Sequence, residues 1–280
     1  MPAGQGRKAR SPLFRQRLKS RGGTIGGEPN PSTRRKASGN WTSHASSTSP
    51  KALTASITPF TPEKLATLGA ALRLEPGTRV LDLGSGSGEM LCTWARDYGI
   101  CGTGIDLSRL FTEQARRRAE ELGVGFRVEF IHGDAAGYVH GEKVDVAACV
   151  GATWIGGGVA GTIRLLAESL RPGGIILIGE PYWRRLPPPE DVARKCEASA
   201  ISDFLVLPDL LASFGDLGYD VVEMVLADQD SWDRYEAAKW LTMRRWLDAN
   251  PGDDFAPEVR ALLTSEPQYL GWGVFALMAR

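Results

Sequence analysis

Three histidines and four cysteines in 280 residues leave little material for a metal centre or a disulfide framework. Cys92, Cys101, Cys149 and Cys196 stand apart, without CxxC spacing or neighbouring histidines. They read as buried thiols in a reducing compartment rather than as zinc ligands or bridges. No run of about 18 apolar residues is present, so no transmembrane helix is expected. The N-terminus lacks the apolar core and small-residue cleavage pattern of a signal peptide. These absences predict a cytoplasmic protein with neither metal nor membrane attachment. Hydrophobic residues nevertheless make up 42% of the chain, enough for the core of one large α/β domain or two small ones.

Acidic residues are almost missing from the N-terminal segment. Up to Lys51, eleven bases face the single acid Glu28, a balance of +10. The whole chain sums to zero, so residues 52–280 carry −10. A body of that sign is a poor platform for a polyanion, and nucleic acid is disfavoured as substrate. Residues 1–50 are rich in Arg, Ser, Gly and Pro and show no sustained apolar periodicity, which predicts a disordered basic tail. A solvated extension is the simplest reading. An interaction arm, an organellar transit peptide and a segment upstream of the native start are the alternatives.

From residue 51 onward the pattern is that of one catalytic domain. Thr61 and Pro62 suit the N-cap and first position of a helix. Strands are expected at 79–83, 102–106, 126–132, 144–150 and 175–180. Helices are expected at 89–97, at 111–122 with its run Arg116-Arg117-Arg118, and at 161–170. This alternation predicts an α/β fold with a Rossmann-like, doubly wound, mostly parallel sheet. A further helix at 207–214 precedes strands at 219–227 and 273–279, between which 230–249 and 257–263 have helical patterns. That arrangement predicts an antiparallel C-terminal edge strand and a helical cap inserted at about 229–266.

The most informative stretch is Val80-Leu81-Asp82-Leu83-Gly84-Ser85-Gly86-Ser87-Gly88, a strand running into a glycine loop and then a helix. Glycines there permit a sharp turn and let backbone N–H groups approach a ligand. A dinucleotide-binding GxGxxG would need glycine where Glu89 stands, and a phosphate-binding P-loop would need a lysine that is missing. Asp106 ends the second strand a little over twenty residues further on. An acid there can accept hydrogen bonds from ribose hydroxyls, or it can cap the following helix.

At these residues the chain resembles the class I S-adenosylmethionine-dependent methyltransferases. Asp82 to Gly88 is similar to that family's first motif and Gly104-Ile105-Asp106 to its second. Gly133-Asp134-Ala135 resembles its adenine-contacting element, and Leu170-Arg171-Pro172-Gly173-Gly174 the turn that enters its fifth strand. Cys149 to Gly157 and Gly179-Glu180-Pro181-Tyr182-Trp183 look like a bacterial subgroup of small-molecule methyltransferases. The resemblance implies S-adenosyl-L-methionine as cofactor. Gly84, Ser85, Gly86 and Gly88 would face its methionine part, and Asp82 would orient the amino group or structure the loop. Asp106, with Leu107 beside it, would hold the ribose. Asp134 and the amide of Ala135 would bind the adenine edge, and Cys149 would end the strand beside the methyl group.

The acceptor side is less constrained. Glu180, Tyr182 and His132 are the candidate catalytic groups, and Trp154, Glu180, Tyr182 and Trp183 the candidate substrate contacts. A carboxylate with aromatics suits a cationic or aromatic acceptor. The same aromatics could instead pack under a cap, and His132 could simply be a bonded strand-end residue. Trp232, Tyr235, Trp240, Met243 and Trp246 read mainly as core of the insertion. The position after the fourth strand lacks the Asn/Asp-Pro-Pro-aromatic element of DNA amino-methylases, no Pro-Cys nucleophile exists, and no carboxylate cluster suggests a metal. The expectation is methyl transfer to a small molecule by direct displacement. The alternatives are a protein or RNA methyltransferase docking through its tail, and a cofactor-binding protein without catalysis.

Overall fold

A computed structural model of the chain describes residues 59–185, 200–252 and 268–280, together with the isolated positions 193, 196, 198 and 260. The basic tail at 1–50 and nearly all of the expected helix at 257–263 lie outside the described residues. The chain opens with helix α1 (Pro62–Ala71), where the Thr61 hydroxyl accepts the Lys64 N–H at 3.3 Å. Then come β1 (Arg79–Leu83), α2 (Glu89–Tyr98), β2 (Cys101–Asp106), α3 (Arg109–Glu121), β3 (Val128–His132) and β4 (Val144–Val150). A short 3-10 turn (Thr153–Gly156) leads to α4 (Val159–Ala167) and β5 (Leu170–Trp183). Helix α5 (Leu207–Asp216), β6 (Tyr219–Leu226), α6 (Gln229–Ala249) and β7 (Leu270–Ala279) complete the described elements.

The seven strands form one sheet in the order β3-β2-β1-β4-β5-β7-β6. Pairs among β1 to β5 are parallel, and β7 runs antiparallel to both of its neighbours. The antiparallel C-terminal strand is therefore present, but it lies one place in from the edge, and β6 is the edge. Apolar side chains leave both faces of the central strands, as expected for a sheet covered by helices on each side. One face meets Leu65 and Leu68 of α1, Leu91 and Trp94 of α2, and Ala115 of α3. The other meets Ile163 and Leu166 of α4 and Leu210 and Phe214 of α5.

Several boundaries shift by a few residues, and the two ends of β5 depart furthest from expectation. Strand β5 continues through Pro181, Tyr182 and Trp183, which were expected to be a loop. These residues pair with Trp272, Gly271 and Leu270 of β7, and Trp183 also bridges to Val206. A proline, which has no N–H to give, can sit there because the pairing of β5 with β4 ends at Gly179. The Arg171-Pro172-Gly173-Gly174 turn falls inside the span of β5. It makes a register irregularity against β4 between Val144 and Val146, with Gly173 at φ 73°. Among the described residues no helix is long and apolar enough to cross a membrane.

Candidate cofactor and acceptor site

The C-terminal ends of β1 and β2 are held together by the loop that the glycines allow. Gly84 N–H and Ser85 N–H both donate to the Ile105 carbonyl, at 2.8 and 3.1 Å. Gly86 N–H donates to Asp106 Oδ2 at 2.8 Å, and Ser108 N–H to Asp106 Oδ1 at 2.7 Å. Asp106 therefore does not cap α3. Ser108 does, accepting the Phe111 N–H. Each Asp106 oxygen uses one of its lone pairs on the backbone and keeps one for a further donor. Burial raises the Asp106 pKa, against the amides of Ser108 and Gly86 and the nearby His132, which lower it. Glycine at 88 serves packing as well as the turn, since it sits at φ 73° and a Cβ there would lie 2.6 Å from the Phe130 ring.

Asp82, one strand away, is the electrostatic centre of this region. It is buried, and its Oδ1 has no hydrogen-bond partner. Burial, with a smaller push from Asp106, raises its pKa to about 7. A buried carboxylate oxygen without a donor is unfavourable on its own and is a natural seat for a cationic or N–H-bearing ligand. Asp82 lines a cavity of about 70 Å³ whose other walls are Gly84, Ser85, Gly86, Ser87, Glu89, Met90 and Val150. A larger concavity, about 400 Å³, lies at the opposite strand ends between Arg79, Phe126, Arg127 and His140, and holds none of the expected site residues. The smaller cavity is at the carboxyl ends of the strands, where open α/β sheets bind their ligands. It is the site.

Known proteins with this arrangement decide its identity. A methyltransferase-domain family model matches residues 80–174. The chain is 71% identical over 230 residues to YjhP of Escherichia coli, covering 79% of this chain and 93% of that one. It is 75% identical to a Geobacter sulfurreducens S-adenosylmethionine-dependent methyltransferase whose crystal structure contains S-adenosyl-L-homocysteine. That match has a TM-score of 0.77 and covers 82% of this chain and 96% of the other. The 27-O-demethylrifamycin SV methyltransferase of Amycolatopsis mediterranei is 32% identical over 114 residues, 40% of this chain and 42% of its own. This chain belongs to the class I S-adenosylmethionine-dependent methyltransferases.

The residues of this methyltransferase fit that cofactor. Asp82 Oδ1, without a partner, would accept from the amino group, and the remaining lone pairs of Asp106 would accept from ribose hydroxyls. Leu107, next to Asp106, leaves 45% of its surface exposed, an apolar face open to a ligand. Beyond β3, Ala135 is buried, while exposed Asp134 accepts the Ala136 N–H at 2.8 Å through Oδ1. The S-adenosylmethionine sulfonium supplies an activated methyl group, so the protein's work is position and a dry pocket.

On the acceptor side the expected residues separate. Glu180 is buried on β5, accepts the Thr153 hydroxyl at 2.8 Å through Oε2, and has its pKa raised to about 7 by burial against that hydrogen bond. Cys149 is fully buried, and burial together with the Asp82 and Glu180 carboxylates pushes its thiol above the ordinary range. It stays protonated at neutral pH, and Val150 rather than Cys149 lines the cavity. Trp154 is 47% exposed beside Thr153. Tyr182 and Trp183 are buried residues of β5. Trp183 Nε1 already donates to the Ile201 carbonyl at 2.9 Å. His132 is exposed and shares a 3.1 Å hydrogen bond with the Leu107 carbonyl, a strand-end role. Thr153, Glu89, Met90 and Val150 were not among the candidates read from the sequence, although Val150 and Thr153 lie within the stretch Cys149 to Gly157. Among the described residues no group of His, Cys, Asp or Glu could hold a metal ion.

Proposed function

We propose that the enzyme methylates a small molecule whose accepting atom carries a proton, with Glu180 as the base that removes it. The observation that supports this reading is Glu180 itself. It is a buried carboxylate at the acceptor end of the sheet, oriented by Thr153, with a pKa of about 7. A general base works best when its pKa lies near the operating pH, and a neutral hydroxyl or ammonium acceptor needs one. Glu180 is close enough to Cys149 for its charge to be felt there, as is Asp82, so the three groups share one region of the sheet.

The described cavity wall carries Asp82 and Glu89 and no basic side chain, which suits the cationic ammonium and sulfonium of the cofactor. The relative that acts on 27-O-demethylrifamycin SV is consistent with a small acceptor. Residues 51–280 form the catalytic domain in this reading, and the described helix Gln229–Ala249 belongs to its insertion between β6 and β7.

The test uses methyl-labelled S-adenosylmethionine with fractionated bacterial metabolites, followed by Glu180→Gln on whichever acceptor is labelled. The substitution is expected to lower kcat by roughly 100-fold or more, the usual contribution of a positioned base, with S-adenosylhomocysteine affinity kept within about twofold. An unchanged rate in the folded variant would mean that the acceptor arrives already ionised, and Glu180 would lose its role.

A further inference from the structure

Glu180 does not stand alone. It is gripped by the turn between β4 and α4, and that turn is stitched from inside by one buried hydroxyl. Thr162, fully buried one turn into α4, has its Oγ1 within 2.6 Å of the Thr153 carbonyl and 2.9 Å of the Gly158 carbonyl, and it accepts the Gly156 N–H at 3.2 Å. The single hydroxyl proton is shared between the two carbonyls, so Thr162 joins both ends of the turn. The turn and helix touch backbone to backbone, since a Cβ on Gly161 would lie 1.9 Å from the Gly156 carbonyl oxygen. Thr153, fixed in this way, presents its own hydroxyl to Glu180 Oε2.

We propose that Thr153 and Thr162 are positioning residues for Glu180. Thr153 orients and stabilises the carboxylate through its hydroxyl, and Thr162 locks the turn that delivers it. The catalytic meaning of this pair rests on Glu180 acting as the base; the hydrogen-bond chain itself does not. A hydroxyl donating to a carboxylate favours the ionised form, opposing the desolvation that raises the Glu180 pKa. Among the described residues, Cys149 on β4 feels the charges of both Glu180 and Asp82, and Tyr182 stands two positions further along β5. The turn contributes no titratable side chain, and neither does β7. Among these neighbours, the Thr153 hydroxyl is the group that lowers the pKa of Glu180.

The experiment follows the Glu180 carboxyl directly, by carbon NMR of the full chain labelled at the glutamate carboxyl and saturated with S-adenosylhomocysteine. The signal is assigned by its loss in Glu180→Gln. Thr153→Val should move the titration midpoint upward by about one pH unit, the size of one charge-assisted hydrogen bond, and Thr153→Ser should return it. Thr162→Val should move it the same way by a smaller amount, with Thr162→Ser as its rescue. Thr153→Ala serves if the valine variant does not fold. S-adenosylhomocysteine affinity should stay within about twofold throughout. A midpoint unmoved in folded Thr153→Val or Thr153→Ala would overturn the proposal. So would a loss of cofactor affinity without a shifted midpoint, since it would place the turn in the cofactor cradle. Failure of the base assignment reads differently: Glu180→Gln would then methylate at the normal rate while the titration shifts persisted.

Discussion

Asp82 is asked to be buried and charged at once, and its two states have opposite consequences. The unfolded carboxyl loses its proton near its ordinary value of 3.8, the folded one only near 7. Between those values the folded state holds more protons, so the contribution of this group to stability falls as pH rises through that window. Glu180, raised from 4.5 to about 7, acts with the same sign. Ligand-free protein is therefore expected to melt at a lower temperature at pH 8 than at pH 5. Asp82→Asn should flatten that dependence and raise the Tm at pH 8. Cofactor binding should respond the other way, because an ionised Asp82 is what attracts the amino group. Calorimetric titration of S-adenosylhomocysteine should show affinity strengthening through about pH 7 in the native protein, and a loss of roughly tenfold or more at pH 8 in Asp82→Asn. A variant that binds as tightly as the native protein at both pH values would remove Asp82 from the site. Asp82 and Asp106 were legible in the sequence because a strand, a glycine loop and a second strand fix their distance along the chain. Thr153 was not, since its partner lies 27 residues away on another strand. A threonine in the apolar run of α4 was the available signal for Thr162, and only the turn folded against it shows what the hydroxyl bonds.

At the scale of elements, the β4–α4 junction leaves the least room for a side chain among the described glycines. A Cβ on Gly161 would meet the Gly156 carbonyl oxygen at 1.9 Å, an atom that no side-chain rotation can move away. Gly161→Ala is expected to force the turn off the helix and destabilise the fold by about 1–3 kcal/mol, the usual range for overpacking. The Tm should fall accordingly, and the Glu180 carboxyl should lose its Thr153 partner. Gly141→Ala is the control, for a Cβ there meets nothing within 4 Å, and its effect should stay within about 0.5 kcal/mol. Equal melting temperatures for the two variants would show that the turn gives way without penalty. The parallel half of the sheet could be read from alternation of apolar strands and amphipathic helices, down to the matching ends of β1 and β4. The far end of β5 could not. Its last three residues are strand because β7, some ninety residues later, and the segment before α5 supply the pairing. That long-range pairing places Tyr182 and Trp183 in buried strand positions.

For the molecule as a whole, charge is the feature that separates the two remaining acceptor classes. The N-terminal segment carries +10 and the rest −10, an asymmetry that could steer an acidic macromolecule or simply keep the chain soluble. Every hydrogen bond that builds the glycine loop, the Asp106 contacts and the Thr153–Glu180 pair lies between residues 84 and 180. In the small-molecule reading the site works without the segment before residue 51. Removing residues 1–50 is expected to leave S-adenosylhomocysteine affinity and methylation of a small acceptor unchanged, each within about twofold. Raising the salt should matter little too, because a small neutral or cationic acceptor releases no condensed counterions on binding, whereas a nucleic acid would. A truncated enzyme that binds cofactor normally but methylates its acceptor far more slowly, with the intact enzyme losing the same activity in salt, would identify the basic segment as a docking arm. The acceptor would then be an acidic macromolecule, and the small-molecule reading would fail while the methyltransferase assignment stood.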